Sequence, residues 1–156
     1  MPEYVGTLIA SARRRIKQAV LARVARHGLS AQQFWFLVAV AERSGTSQSE
    51  LRERLRIDAP TTSRVFATLE RLRLVKTRTD AEDRRRICVS LTPEGARLAT
   101  ELLATAREIR NAVTLDMSER EVEHLRRGLL RVIENIDRLG APETIRAPSR
   151  RRRRSA

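Results

Sequence analysis

A mainly α fold carrying one small β-hairpin is predicted by three features of this sequence. Apolar residues recur at helical spacing through most of the chain. Three Ser-x-x-Glu/Gln patterns, at Ser30–Gln33, Ser47–Glu50 and Ser118–Glu121, mark helix starts by capping box. Only one stretch changes period: Leu74-Val75, then Ile87, Val89 and Leu91 alternating with Cys88 and Ser90, read as two short strands.

The elements follow in order. Residues 4–27 form the first helix, with Val5, Leu8, Ile9, Ala12, Ile16, Ala19, Val20 and Val24 on one side. Arg13, Arg14, Lys17, Arg23 and Arg26 occupy the other. A stripe this broad on a terminal helix fits either the chain's own core or contact with a second copy. Gly28 ends this helix, and Ser30 caps the next. Its buried face is Phe34, Leu37, Val38 and Ala41, with Trp35 beside it, bordering core or pocket. Ser44-Gly45-Thr46 breaks the helix, and Ser47 caps a third, short one through Leu55.

A fourth helix begins at Asp58, whose carboxylate can accept the orphan amides of the first turn. Pro60 suits that turn because its missing N–H has no helical partner there. Val65, Phe66, Leu69 and Leu72 face a core; Pro60, Ser63, Arg64 and Ala67 lie outside. That outer face is small, hydroxyl-bearing and basic, so it can approach a DNA groove closely. Next comes the hairpin, with TRTDAEDRRR as a polar tip holding Arg78, Arg84, Arg85 and Arg86. Asp83 stands two residues before Arg85, a spacing expected to put both side chains on one side, so that the carboxylate braces the guanidinium.

Thr92-Pro93 opens a long helix through about Val113, with Leu98, Leu102, Ala106, Ile109 and Val113 on one side. In the last helix Val122, Leu125, Leu129, Val132, Ile136 and Leu139 are spaced 3-4-3-4-3, the seam of a coiled coil. Gly140 ends it. Residues 141–156, with five consecutive arginines, read as a disordered basic tail.

A helix followed at once by a basic β-hairpin is a winged helix-turn-helix arrangement, in which the helix enters a major groove and the wing reaches a minor groove. Here the sequence resembles the MarR (multiple antibiotic resistance regulator) family of bacterial transcription factors. Ser63-Arg64, Leu69-Glu70, Leu74-Val75, the wing run Asp83-Arg84-Arg85 and Leu91-Thr92 carry the resemblance, and TSQSELRERL is similar to the family's first helix of the helix-turn-helix. Arg73 is a departure, standing where the family usually has Gly.

DNA contacts are expected from Pro60, Thr61, Thr62, Ser63 and Arg64 on the helix and from Asp83, Arg84, Arg85 and Arg86 on the wing. The resemblance adds Gln48 as a phosphate contact. It implies dimerisation through the first and last helices, in agreement with their apolar stripes, which puts Leu8, Ile9, Ile16, Val122, Leu125, Leu129, Val132, Ile136 and Leu139 at the interface. The expected organisation is therefore a helical dimerisation region (1–28 and 93–140), a winged helix-turn-helix lobe (29–92) and the tail (141–156). The resemblance also implies a pocket for a small effector such as an aromatic acid, with Arg13 and Trp35 as candidates.

Charge agrees with a polyanionic partner. The chain of 156 residues carries a net charge of +13. Segments 1–28, 29–92, 93–140 and 141–156 carry +5, +4, −1 and +5, from 6, 12, 8 and 6 cations against 1, 8, 9 and 1 acids. A basic lobe joined to a neutral helical end fits double-stranded DNA better than general stickiness.

Catalysis is not expected. His27, His124 and Cys88, the only His and Cys residues, show no zinc spacing. There is no phosphate-binding glycine loop and no Gly-x-Ser-x-Gly. No metal or cofactor is expected. Thiol sensing through a first-helix cysteine, as in the family's peroxide-sensing branch, is ruled out by the position of Cys88. No apolar run approaches the about 18 residues of a membrane span, and a secretory signal is not expected. The expected setting is the bacterial or archaeal cytoplasm, at the nucleoid. The leading expectation is a homodimeric, ligand-responsive repressor on a palindromic operator. Its competitor is an architectural protein that coats DNA without reading bases.

Overall fold

The computed structural model describes residues 3–140. Its helices are α1 (Val5–Val24), α2 (Ala31–Glu42), α3 (Gln48–Leu55), α4 (Ala59–Arg71), α5 (Pro93–Val113) and α6 (Glu119–Gly140). The strands are β1 (Val75–Thr79) and β2 (Ile87–Leu91), and a 3₁₀ turn at Ala25–His27 finishes α1. The described residues fall into two compact units that divide between Leu115 and Asp116. The basic tail foreseen at 141–156 lies outside the described residues.

The first unit is built around α2, which packs against α1, α3, α4, α5 and β2. Sequence reading gave α2 one buried face. In the structure Phe34, Phe36, Leu37, Val38, Ala39 and Val40 are all buried, so the helix is enclosed nearly all round. Phe36 meets Phe66 of α4 edge-on, with ring centroids 6.0 Å apart. Fully burying each such side chain is worth roughly 1.5–3 kcal/mol.

Helix starts follow the capping signals. Ser30 and Ser47 each accept from the backbone N–H three residues on, while Gln33 and Glu50 return the bond to the cap's own N–H. Helix α4 is capped by Asp58, which accepts from the Thr61 N–H at 2.7 Å and the Thr61 hydroxyl at 2.9 Å. Thr92 caps α5 through the Gly95 N–H. That first turn of α5 crosses the backbone of Leu74 so closely that a Cβ on Gly95 would lie 1.9 Å from the Leu74 carbonyl oxygen.

The turn after α4 resolves the Arg73 departure. Arg73 takes the left-handed conformation, φ 56°, that glycine usually supplies. Its N–H bonds to the Glu70 carbonyl at 2.8 Å and the Leu74 N–H to the Leu69 carbonyl at 3.0 Å, the pair of bonds that defines a Schellman turn. Leu69 and Leu74 are both buried beneath it. Leu72, expected in the core, is instead 48% exposed because it forms the helix C-cap. Glu70, at the end of α4, accepts from the Thr77 hydroxyl at 2.9 Å.

Strands β1 and β2 pair antiparallel, Val75 opposite Leu91 through Thr79 opposite Ile87. Residues 77–79, read from sequence as part of the tip, thus belong to a strand. A third strand-like contact fastens the tip-side half of β2: the Val89 N–H reaches the Thr46 carbonyl at 2.9 Å, and Ser47 bridges Cys88.

In the second unit α6 stands on the Ser118–Glu121 capping box. Its apolar seam is open: Leu125, Leu129, Ile133, Ile136 and Leu139 are 38–81% exposed. Val122 and Val132 are half-buried. In α1, Val5 and Leu8 are exposed and Ile9 is half-buried. Ile16, assigned to the same expected interface, differs. It packs on the first unit's core and lines a cavity beside Trp35, because it sits one turn from the buried Val20.

Candidate nucleic-acid interface

Helices α3 and α4 and the hairpin tip present one set of exposed cations and hydroxyls. The turn between the helices is again of Schellman type, with Arg56 left-handed at φ 50°. It sets the start of α4 next to the start of α3. Pro60, Ser63, Arg64 and Ala67 are exposed on α4, as their spacing predicted, and Thr61 is half-exposed. Thr62 is corrected: only 4% exposed, it turns inward and donates its hydroxyl to the Asp58 carbonyl at 2.8 Å. Its hydroxyl therefore serves the helix start.

Between α3, α4 and the hairpin lies a cleft of about 270 Å³, bordered by Gln48, Arg52, Ser63 and Arg85. Arg52 was not singled out from the sequence. It lies one helical turn after Gln48, on the same side of α3, and that spacing was the available signal.

The tip is an ordered loop. Asp80 accepts from the backbone N–H groups of Glu82 at 2.9 Å and Asp83 at 3.3 Å. These bonds hold the Asp80 carboxyl below its usual range, with a smaller contribution from nearby Arg86. Asp83 accepts from the backbone N–H of Arg85 at 2.9 Å. The expected brace from Asp83 to the Arg85 guanidinium is therefore corrected. A short Asx side chain two residues upstream reaches the backbone first, and it fixes the loop rather than the cation.

The three tip arginines differ. Arg84 and Arg85 are exposed, and among the described residues neither forms an ion pair; the same is true of Arg64. Arg86 is tied back. Its guanidinium lies 3.3 and 3.2 Å from the two carboxylate oxygens of Glu50 and 3.6 Å from Asp80. Glu50 is in turn held below the usual carboxylate range, first by the Ser47 backbone N–H, then by the Ser47 hydroxyl and Arg86.

A separate cavity of about 460 Å³ opens beside Trp35, between Ile16, Ile109 and Val113. Its cation is Arg110, whose guanidinium carbon stands 5.5 Å from the Trp35 ring centroid, within cation–π range. Arg13 is not among its lining residues. Arg110 donates to Glu42 at 2.5 Å, and Glu42 also pairs with Arg54 of α3. The Glu42 carboxyl is lowered, chiefly by the Arg110 hydrogen bond.

A capped helix pair, an outward helix face bearing Arg64 and a hairpin with free arginines at its tip define a winged helix-turn-helix DNA-binding protein. The model of the MarR family matches residues 27–86, from the end of α1 to the hairpin tip. The HTH-type transcriptional repressor NicR of Pseudomonas putida is 31% identical over 107 residues, which is 69% of this chain and 68% of NicR. The chain belongs to the MarR family of transcriptional regulators. The fold extends over nearly all of two solved relatives. MarR from Oenococcus oeni superposes with a TM-score of 0.78 at 20% identity, covering 84% of this chain and 99% of that one. MepR of S. aureus, solved in complex with DNA, has a TM-score of 0.72 at 22% identity, covering 85% and 98%. Among the described residues no helix is long and apolar enough to cross a membrane.

Proposed function

We propose that this regulator is a homodimeric repressor that reads a palindromic operator and releases it in response to a small aromatic carboxylate. The observation that carries base reading is the exposure of Ser63 and unpaired Arg64 on the outer face of α4, beside the free wing arginines. Bidentate Arg contact with guanine discriminates bases, whereas Arg85 in a narrow minor groove reads A·T-rich shape. Exposed apolar residues on α1 and α6 supply the dimer surface, and two-fold symmetry sets half-sites about one helical turn apart. Repression is the activity of the relative NicR.

The test compares affinities for operator and scrambled DNA at two salt concentrations. Arg64→Ala should cost ~1–3 kcal/mol on operator and relax one position per half-site. Deleting Arg150 to Arg154 should weaken both DNAs alike and flatten the salt slope. Equal losses on both DNAs for Arg64→Ala would favour the architectural reading.

Effector response rests on the Trp35 cavity, an apolar space with one cation, suited to a planar ring carrying a carboxylate. A carboxylate that takes Arg110 competes with Glu42 and leaves that residue with Arg54 alone, so occupancy changes a bond to α3. Aromatic monocarboxylates should quench the fluorescence of Trp35, the only Trp, and release operator. Arg110→Met should abolish both effects, and retention of both would exclude this cavity.

A further inference from the structure

We infer that Arg86 is a positioning residue: it ties the wing tip to the start of α3, so that the distance between the tip arginines and α4 is fixed before DNA arrives. This rests on the reading of the chain as a sequence-selective DNA binder. It also separates Arg86 from Arg84 and Arg85, with which the sequence groups it.

The wing is fastened at two levels. From the middle of β2 towards the tip, the bond from Val89 to Thr46 and the Ser47–Cys88 bridge join the strand to the residues before α3. At its tip, backbone bonds only close the loop on itself: the Arg86 N–H to the Asp83 carbonyl at 2.9 Å, and the Asp80 N–H to the Arg86 carbonyl at 2.8 Å. These contacts hold the ribbon as far as Cys88, and the loop from Asp80 to Arg86 projects beyond them. The Arg86 side chain provides the link from tip to helix, through its contacts with Glu50.

An exposed ion pair usually contributes little, because two long side chains must be ordered for a modest gain in water. This one differs in what is already ordered. Glu50 is the return arm of the α3 capping box and accepts from the Ser47 N–H at 2.7 Å and the Ser47 hydroxyl at 3.0 Å. Asp80 is held by two backbone amides of the loop. Arg86 thus joins two carboxylates that are in place without it, and only its own side chain loses freedom. Its planar, multi-donor head can address both at once, which a lysine ammonium does less well.

The role makes a prediction opposite to simple electrostatics. Glu50→Gln removes a negative charge near the DNA face, and Gln also completes a capping box. Charge alone would therefore tighten binding to every DNA. Positioning predicts about tenfold weaker binding to operator, with preference lost at the flanking steps read by the wing, and affinity for scrambled DNA unchanged or raised. Arg86→Gln should give the same loss of flank preference. The double variant should be no worse on operator than Arg86→Gln alone, since both substitutions break one link. Thermal unfolding of each variant, unchanged from the parent, separates loss of position from loss of fold.

Should Glu50→Gln bind operator more tightly, or should the two losses add, Arg86 is a direct DNA contact and the inference fails. A parent protein indifferent to sequence would instead remove the reading beneath it. A selective parent with additive variants removes the positioning role alone.

Discussion

Helices α2 and α6 are both rich in apolar residues, and they solve opposite problems. In α2 the apolar residues are spread around the helix, and five neighbouring elements cover them. In α6 they are gathered on one seam, with charged residues elsewhere, and that seam is open to solvent. A helix apolar all round becomes the centre of a unit, whereas a sharply segregated one buries its stripe on another surface. The lesson concerns pattern rather than content: where apolar residues sit around a helix tells whether its partner lies on every side or on one.

The largest effect should come from breaking the α2 side. Phe36→Ala leaves a cavity against Phe66 and should cost ~3–5 kcal/mol. Against a total stability of roughly 5–15 kcal/mol for a domain, that is enough to unfold much of the population near physiological temperature. Urea unfolding followed by far-ultraviolet circular dichroism measures it. A loss below 1 kcal/mol would mean that the enclosure of α2 is looser than its burial indicates.

Breaking the α6 side should act on association instead. Leu129→Asp with Val132→Asp places charges in the proposed dimer seam, where unpaired buried charge costs several kcal/mol. Light scattering at micromolar concentration should then report a monomer, with Trp35 still in its folded environment by fluorescence. A dimer that survives both substitutions, or a parent that is already monomeric at that concentration, would overturn the assignment of this seam.

Much of this was legible in the sequence because the signals are local. Capping boxes at Ser30, Ser47 and Ser118 gave helix starts, since each depends on residues three positions apart. Ser63, Arg64 and Ala67 were placed on the outer face of α4 by helical period alone. The misreadings came from what local spacing cannot carry. Thr62 lies next to exposed Ser63, but its hydroxyl has a competing acceptor in the Asp58 carbonyl. Asp83 satisfies the backbone of Arg85 before its side chain. Arg110 and Glu42 stand 68 residues apart, so no pattern in either helix announces their bond, and Arg13 took the place of Arg110 in the expected pocket. The Arg86–Glu50 link spans 36 residues and was missed for the same reason.

The smallest effect sharpens the contrast between the two helices by improving one unit alone. Arg73 holds a left-handed backbone at the Schellman turn after α4, a conformation that costs an L-residue with a Cβ about 1–2 kcal/mol and glycine almost nothing. Glycine is also freer in the unfolded chain, which returns part of that gain to the unfolded state. The Arg73 carbonyl accepts the Thr92 hydroxyl at 2.6 Å, a bond that any residue at this position retains. Arg73→Gly should therefore stabilise the α2-centred unit by about 0.5–1 kcal/mol, seen as a higher urea midpoint at unchanged slope. Because the turn covers Leu69 and Leu74 and is not on the α6 seam, the dimer dissociation constant should stay the same. A lower midpoint would show that the Arg73 side chain stabilises the turn by more than its backbone strain costs. A changed dissociation constant would show that the two helices are not independent, and the division between an enclosed centre and an open seam would need redrawing.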